Sequence, residues 1–231
     1  MIAAPDIEAV PEPVTILVNE AIRVSGLIQR PRGAHACMVL AHGAGAGMEH
    51  AFMVRIAHDL AARGVATLRY QFPYMERHGK RPDPPPLCHA TVRAAVLAAR
   101  EFAPALPLIA GGKSFGGRMT SQAQADLPLP GVRGLAFLGF PLHAPNRPSS
   151  VRGEHLLQVA IPMLFLQGTR DALADLKLIQ GLVKRLGQMA TLRVLPDADH
   201  SFHVLARSGR TDAQVRGEML EALVGWIASV I

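Results

Sequence analysis

Residues 107–118 read PLIAGGKSFGGR. An apolar run, Leu108-Ile109-Ala110, halts at the pair Gly111-Gly112; Lys113, Ser114 and Phe115 follow, then a second pair, Gly116-Gly117. Two machines place such a turn between a strand and a helix. One is the P-loop, in which backbone N–H groups, a lysine and a serine hold nucleotide phosphates. The other is an elbow that lifts a nucleophilic serine out of a sheet. A P-loop, G-x-x-x-x-G-K-[ST], requires glycine at 107, where the chain has Pro107, and flexible loop where residues 108–110 read as strand. Its metal-holding aspartate should follow another apolar strand, yet residues 163–166 run into Gln167-Gly168. The elbow requires G-x-S-x-G, and Gly112-Lys113-Ser114-Phe115-Gly116 supplies it. On so sharp a turn the residues two before and two after the serine approach neighbouring backbone, which selects glycine. In a chain with 21 glycines, five residues need partners elsewhere.

The 231 residues suffice for one domain, 1–231, with a full core. Apolar residues make up 49% and charged residues 18%, which excludes a disordered chain. The start, MIAAPDIEAVPEP, lacks a basic leader with an apolar core, and no apolar run approaches the roughly 20 residues of a membrane span. Two cysteines, Cys37 and Cys88, indicate neither a disulfide framework nor a zinc site, so a reducing cytoplasm is expected. The net charge of +6 raises the question of nucleic acid. Its tightest cluster, Arg77-His78-Gly79-Lys80-Arg81, comes with no groove-reading element or base-stacking motif, and most other basic residues are arginines scattered along the chain. Solvated surface and loop charge is the reading, with no nucleic-acid partner.

The order of elements carries the fold. Residues 14–18 and 22–28 alternate around Asn19-Glu20 as an antiparallel hairpin. The continuous apolar run 37–41 predicts a buried strand, and further strands are expected at 65–70, 106–110, 132–138, 163–166 and 191–195. Helical spacing predicts helices at 49–63, 91–102, 114–125, 173–186 and from Thr211 or Asp212 through Trp226. The proline-rich stretch 71–87 reads as loop, and 141–160 as an excursion with one helical turn, too short for a large lid. A hairpin followed by alternating strands and helices is the α/β class: a mostly parallel sheet with helices on both faces.

In such a sheet ligands meet the carboxyl ends of the strands. After 163–166 comes Gln167-Gly168-Thr169-Arg170-Asp171, and after 191–195 comes Pro196-Asp197-Ala198-Asp199-His200-Ser201-Phe202. The chain order is therefore Ser114, Asp171, His200: nucleophile, acid, base. A serine hydroxyl needs a base to remove its proton, and a carboxylate holds the imidazole in the tautomer that does so. Asp175, Asp197 and Asp199 compete for the acid: Asp175 falls inside a predicted helix, and the other two are too near His200 in sequence to orient it easily. His203 is the rival base. His42-Gly43-Ala44-Gly45-Ala46-Gly47 follows strand 37–41, and its glycines let backbone N–H groups face a developing negative charge. The N–H groups of Ala44 and Phe115 are the expected oxyanion donors. A dinucleotide fingerprint fails there, because G-x-G-x-x-G meets Met48 or His50 at its third glycine.

HGAGAGM, FPYMERHGKRPDP, GGKSFGGRM, GTRD and DADHSF together resemble the α/β-hydrolase family over essentially the whole chain. The likeness is to a small, capless branch that includes dienelactone-hydrolase-like proteins and the testis-expressed-30 and NSL-complex-subunit-3 group. It implies hydrolysis of an ester, thioester or related acyl bond in a small molecule through an acyl-enzyme, with no metal or organic cofactor. Dienelactone hydrolases carry a cysteine nucleophile where this chain has Ser114, which separates it from that substrate. The chromatin-complex relative introduces an alternative, a non-catalytic interaction module on the same fold. Four other features carry separate expectations. Lys113 is expected to contact solvent or a loop, Arg118 to be a surface or ion-paired arginine or to meet an anionic substrate, and His42 to be structural. Phe72, Tyr74, Met75, Phe140 and Phe202 are candidates for an acyl pocket or for packing of their own loops. Oligomeric state has no signature in the sequence.

Overall fold

Residues 9–231 are described in a computed structural model of the chain; most of the stretch read above for a leader, residues 1–8, lies outside the described residues. Strands β1 (Glu12–Asn19) and β2 (Ile22–Gln29) form the antiparallel hairpin, turned at Asn19, whose side chain accepts the N–H groups of Ala21 and Ile22. Six further strands follow: β3 (Ala36–Ala41), β4 (Val65–Tyr70), β5 (Leu108–Lys113), β6 (Val132–Leu138), β7 (Met163–Gly168) and β8 (Ala190–Leu195). All eight join one sheet in the order β1-β2-β4-β3-β5-β6-β7-β8, parallel from β4 to β8 and antiparallel at the hairpin.

Among the described residues six α-helices cover the sheet: α1 (Ala51–Ala61), α2 (Pro73–Glu76), α3 (Pro85–Phe102), α4 (Phe115–Asp126), α5 (Leu176–Leu186) and α6 (Asp212–Val230). β3 shows why its sequence reads as an unbroken apolar run. Cys37, Val39 and Ala41 join the apolar layer shared with α3 and α4, while Ala36, Met38 and Leu40 join the opposite layer, which includes α1 and α6. A strand covered on both faces has no polar side to alternate with. Each large apolar side chain so buried, Ile56 and Leu60 of α1 among them, contributes about 1.5–3 kcal/mol.

The structure departs from the sequence reading in instructive places. The stretch 71–87 holds α2 and the first turn of α3, because both helices begin on prolines. At the first helical position proline gives up no hydrogen bond. β5 runs on through both glycines to Lys113, where the glycines sit against β3 and β6. Asp175 lies outside its helix as the N-cap of α5, accepting the Leu178 N–H at 3.1 Å. The excursion 141–160 holds a 3₁₀ segment, Val151–Gln158.

The chain passes from β3 to β4 on one side and reaches β5 on the other, so the crevice opens at the carboxyl ends of β3 and β5. Two glycine-rich segments of the sequence meet there.

Candidate active site

β5 ends at Lys113 and α4 starts at Phe115, leaving one residue for the turn. That residue, Ser114, has φ 50° and ψ −115°, a conformation costly for any side chain. Crowding explains its neighbours. A Cβ on Gly112 would stand 2.2 Å from the Ala41 carbonyl oxygen, and one on Gly116 would stand 2.5 Å and 2.6 Å from those of His42 and Ala41. The elbow is thus driven into the end of β3, and only glycine fits the contact.

The structure brings Ser114, His200 and Asp171 together from three loops. The Ser114 Oγ lies 2.8 Å from His200 Nε2, and the Asp171 Oδ2 lies 2.7 Å from His200 Nδ1. An ionised carboxylate only accepts, so the imidazole proton belongs on Nδ1 and the Nε2 lone pair faces the serine hydroxyl. Asp171 is buried and held by two donors. Leu173 N–H binds Oδ1 at 2.7 Å, and the Gln167 amide binds Oδ2. Gln167 is itself fixed by accepting the Phe140 N–H at 3.0 Å. The sequence reading had passed over this amide; its signal was a polar side chain at the end of a fully apolar strand.

The competing residues have other partners. Asp199 accepts the N–H groups of Ser201 and His203, shaping its own loop, and Asp197 is exposed. His203 lies in that loop, short of any helix, and pairs with Asp212 on the surface, 2.9 Å away. A second serine–histidine contact, Ser121 Oγ to His155 Nε2 at 2.8 Å, has a different character. Ser121 lies within α4, about two turns past the elbow, and its hydroxyl also stands 3.0 Å from the Arg118 carbonyl.

The turn after β3 is pinned along its length. Tyr74 Oη accepts the Gly45 N–H at 3.0 Å, and Gln71 Oε1 accepts the Met48 N–H at 3.0 Å. His42 is fully buried. Its Nε2 accepts the Phe72 N–H at 3.2 Å, so its proton sits on Nδ1 and is donated to the Gly43 carbonyl at 2.7 Å. In a trans peptide the N–H points opposite to the C=O. No described peptide is cis, so fixing the Gly43 carbonyl toward His42 turns the Ala44 N–H the other way. A Cβ on Gly43 would stand only 3.9 Å from that of Ser114, which places this turn beside the elbow.

Burial holds His42 down to about 4, from an ordinary 6.5. The unfolded chain takes up this proton as pH falls through 6.5, and the native chain refuses it until about 4. Across that window stability should fall by about 3 kcal/mol on account of His42 alone. His155, also held near 4 chiefly by burial, adds in the same sense. Urea unfolding at the two ends of the window, in wild type and His42→Asn, isolates the His42 share; an equal loss in both would refute it.

A cavity of about 470 Å³ opens over the serine, bounded by Ala44, Phe52, Met53, Leu173 and His200 among others. The aromatic candidates divide. Phe72 and Tyr74 are buried against His42 and Phe115, and Phe140 against Phe137 and Phe165. Phe202 stacks on Phe52, which lines the cavity. In the basic cluster, Arg77 pairs with Asp83 at 2.7 Å. Arg118 is half-buried near Arg152 and does not line this cavity. Lys113 reaches a loop, that of His200, to whose carbonyl it donates.

Residues 34–228 match the family model for an alpha/beta hydrolase domain. Among solved structures, the chain superposes on a dienelactone hydrolase from Anabaena variabilis with a TM-score of 0.77 at 20% identity, over 97% of this chain and 100% of that one. A serine hydrolase without a lid from Xanthomonas campestris gives 0.72 at 20% identity, over 96% and 98% of the two chains. An α/β serine hydrolase homologue from Coxiella burnetii gives 0.72 at 20% identity, over 92% and 97%. At such identities the likeness is one of fold.

Proposed function

Since the chain belongs to the alpha/beta hydrolase family, and Ser114, His200 and Asp171 form one hydrogen-bonded line at its elbow, we propose that it is a serine-dependent hydrolase of small acyl substrates. The bond cleaved is an ester, thioester or related acyl linkage. The observation that carries the reading is the 2.8 Å contact between the Ser114 hydroxyl and an imidazole whose other nitrogen is held by a buried carboxylate. In this scheme Ser114 Oγ attacks the carbonyl carbon as its proton passes to His200 Nε2. The N–H groups of Ala44 and Phe115 receive the negative charge on the former carbonyl oxygen, the second aided by its place at the start of α4. Collapse expels the leaving group, which takes the proton from His200 and leaves an acyl ester on Ser114. Water, deprotonated by the same imidazole, attacks that ester, releases the acid and restores the serine. Asp171 keeps the imidazole oriented and offsets its charge in both halves.

The solved neighbours described as a dienelactone hydrolase and as serine hydrolases support this reaction class. The cavity over the serine, with Phe52 and Met53 on its wall, suits a modest apolar acyl group. We read the chain as one domain, with a small-molecule partner and no nucleic acid. Two unpaired buried cysteines accord with a reducing cytoplasm. No helix of the described residues is long and apolar enough to cross a membrane.

The test is labelling with a fluorophosphonate probe, read by intact mass. One adduct is expected on the wild type, mapping to Ser114 and absent from His200→Ala. Folded wild type that takes up no probe would leave the elbow idle and favour the interaction-module reading.

A further inference from the structure

Lys113 precedes the proposed nucleophile, and its half-buried side chain lines the cavity over the serine. Its amine donates to the carbonyl oxygen of His200 and stands 5.2 Å from the ring centre of Phe202 and 5.9 Å from that of Phe52. Gly139, at φ 73°, leaves room for it: a Cβ there would come within 3.0 Å of Nζ and 3.5 Å of the His200 ring.

The loop that carries His200 needs such a hold. Between β8 and α6 it has only one short 3₁₀ turn, Ala206–Ser208. Two of its residues that are not glycine, Asp197 (φ 61°) and Phe202 (φ 63°), adopt left-handed backbone. Backbone of that kind persists only where surrounding contacts enforce it. Thr169 and Arg170 hold the near end, through Asp197 N–H and the Ala198 carbonyl. From the elbow side, the loop is tied by the imidazole to Ser114 and by the His200 carbonyl to Lys113. Asp171 and Ser114 hold the two ring nitrogens but leave the peptide that carries the ring to the loop. A hydrogen bond from the residue next to the serine to the carbonyl of the histidine ties that peptide to the elbow as well. We propose that Lys113 is a positioning residue, clamping the backbone of the base to the strand that presents the nucleophile. This deepens the hydrolase reading and rests on it.

The clamp has a pH signature. Burial brings the Lys113 amine down to about 8 from 10.5, against the pull of Asp171 and Asp199. These two carboxylates and His200 come from the loops after β7 and β8, and His50, at the start of α1, lines the same cavity. An ammonium donates a hydrogen bond roughly twice as strong as a neutral amine, so the hold weakens as pH rises through about 8. The experiment measures the rate of fluorophosphonate labelling from pH 6.5 to 10 for wild type, Lys113→Met and Lys113→Arg. Wild type should slow several-fold through about 8. Lys113→Met should label about 10- to 100-fold more slowly at neutral pH, without the alkaline fall. Lys113→Arg, charged throughout, should stay near the wild-type rate and lose the fall. A Met variant matching wild type in rate and profile would overturn the clamp while leaving Ser114 as the nucleophile. Should the Met variant not fold, an Arg variant that still slows near pH 8 would overturn it. Wild type that takes no adduct would remove both the clamp and the reading beneath it.

Discussion

Ser114→Ala should lower kcat/KM by about 10⁴-fold or more for any ester the wild type turns over, with the fold intact. The loss is that large because the hydroxyl is the atom that forms the covalent bond, and no neighbouring side chain replaces it. Ser121, which also contacts a histidine, sits inside α4 and does not line the cavity over Ser114. Stability should move differently. Alanine at 114 inherits the same left-handed backbone, so the melting temperature should hardly change. Glycine there relieves the strain of φ 50°, and Ser114→Gly should be inactive yet more stable by about 1 kcal/mol. Steady-state turnover and urea unfolding of the two variants check this. Turnover in the alanine variant above about a hundredth of wild type would dismiss Ser114 as nucleophile.

The largest structural effect is expected from a single methyl group. In Gly116→Ala the new Cβ would stand 2.5 Å from the His42 carbonyl oxygen and 2.6 Å from that of Ala41. Neither oxygen can retreat cheaply. Ala41 ends β3, paired on both sides, and His42 is locked by its bonds to Phe72 and Gly43. Helix α4 must therefore shift away from the strand, carrying Ser114 with it. Overpacking against well-ordered neighbours costs about 1–3 kcal/mol, and fixed backbone on both sides puts this case at the upper end. Activity should fall further than stability, since a displacement of about 1 Å at the serine costs about 10²-fold in rate. Gly181→Ala in α5, where an added Cβ meets nothing within 4 Å, is the matched control and should keep wild-type turnover while gaining up to about 1 kcal/mol of stability from alanine's helix propensity. A Gly116→Ala enzyme as stable and active as that control would refute the account of the elbow.

Much of this architecture is legible in the chain. Residues 65–70 and 132–138 are strands to the residue: each starts directly after a glycine and is mostly apolar, with Thr67 and Arg69 buried and Arg133 exposed as the polar exceptions. The order Ser114, Asp171, His200 follows from asking which polar residues come after buried strands. Prolines misled the reading of 71–87, since a proline that interrupts a helix elsewhere is at home in its first turn. Asp171 is preferred to Asp175 and Asp199 by elimination in the sequence, and local hydrogen bonds supply what those rivals do instead: one caps a helix and the other folds its own loop. The clamp from Lys113 lay beyond the sequence, because it joins residues 87 positions apart. So did the tautomer of His42, set by a donor 30 residues on.

The segment from Gln71 to Tyr74 holds the turn after β3 at three points, through His42, Gly45 and Met48. Folding therefore completes a reorganisation that a looser turn would perform with every substrate molecule. Heat released on binding should then reflect contacts with the acyl group rather than ordering of the chain. An insertion between Gln71 and Tyr74 should be felt first as a loss of catalytic rate, while one in the exposed stretch near Lys80 should be silent. A lid added to this molecule, by evolution or by design, has its natural point of entry there.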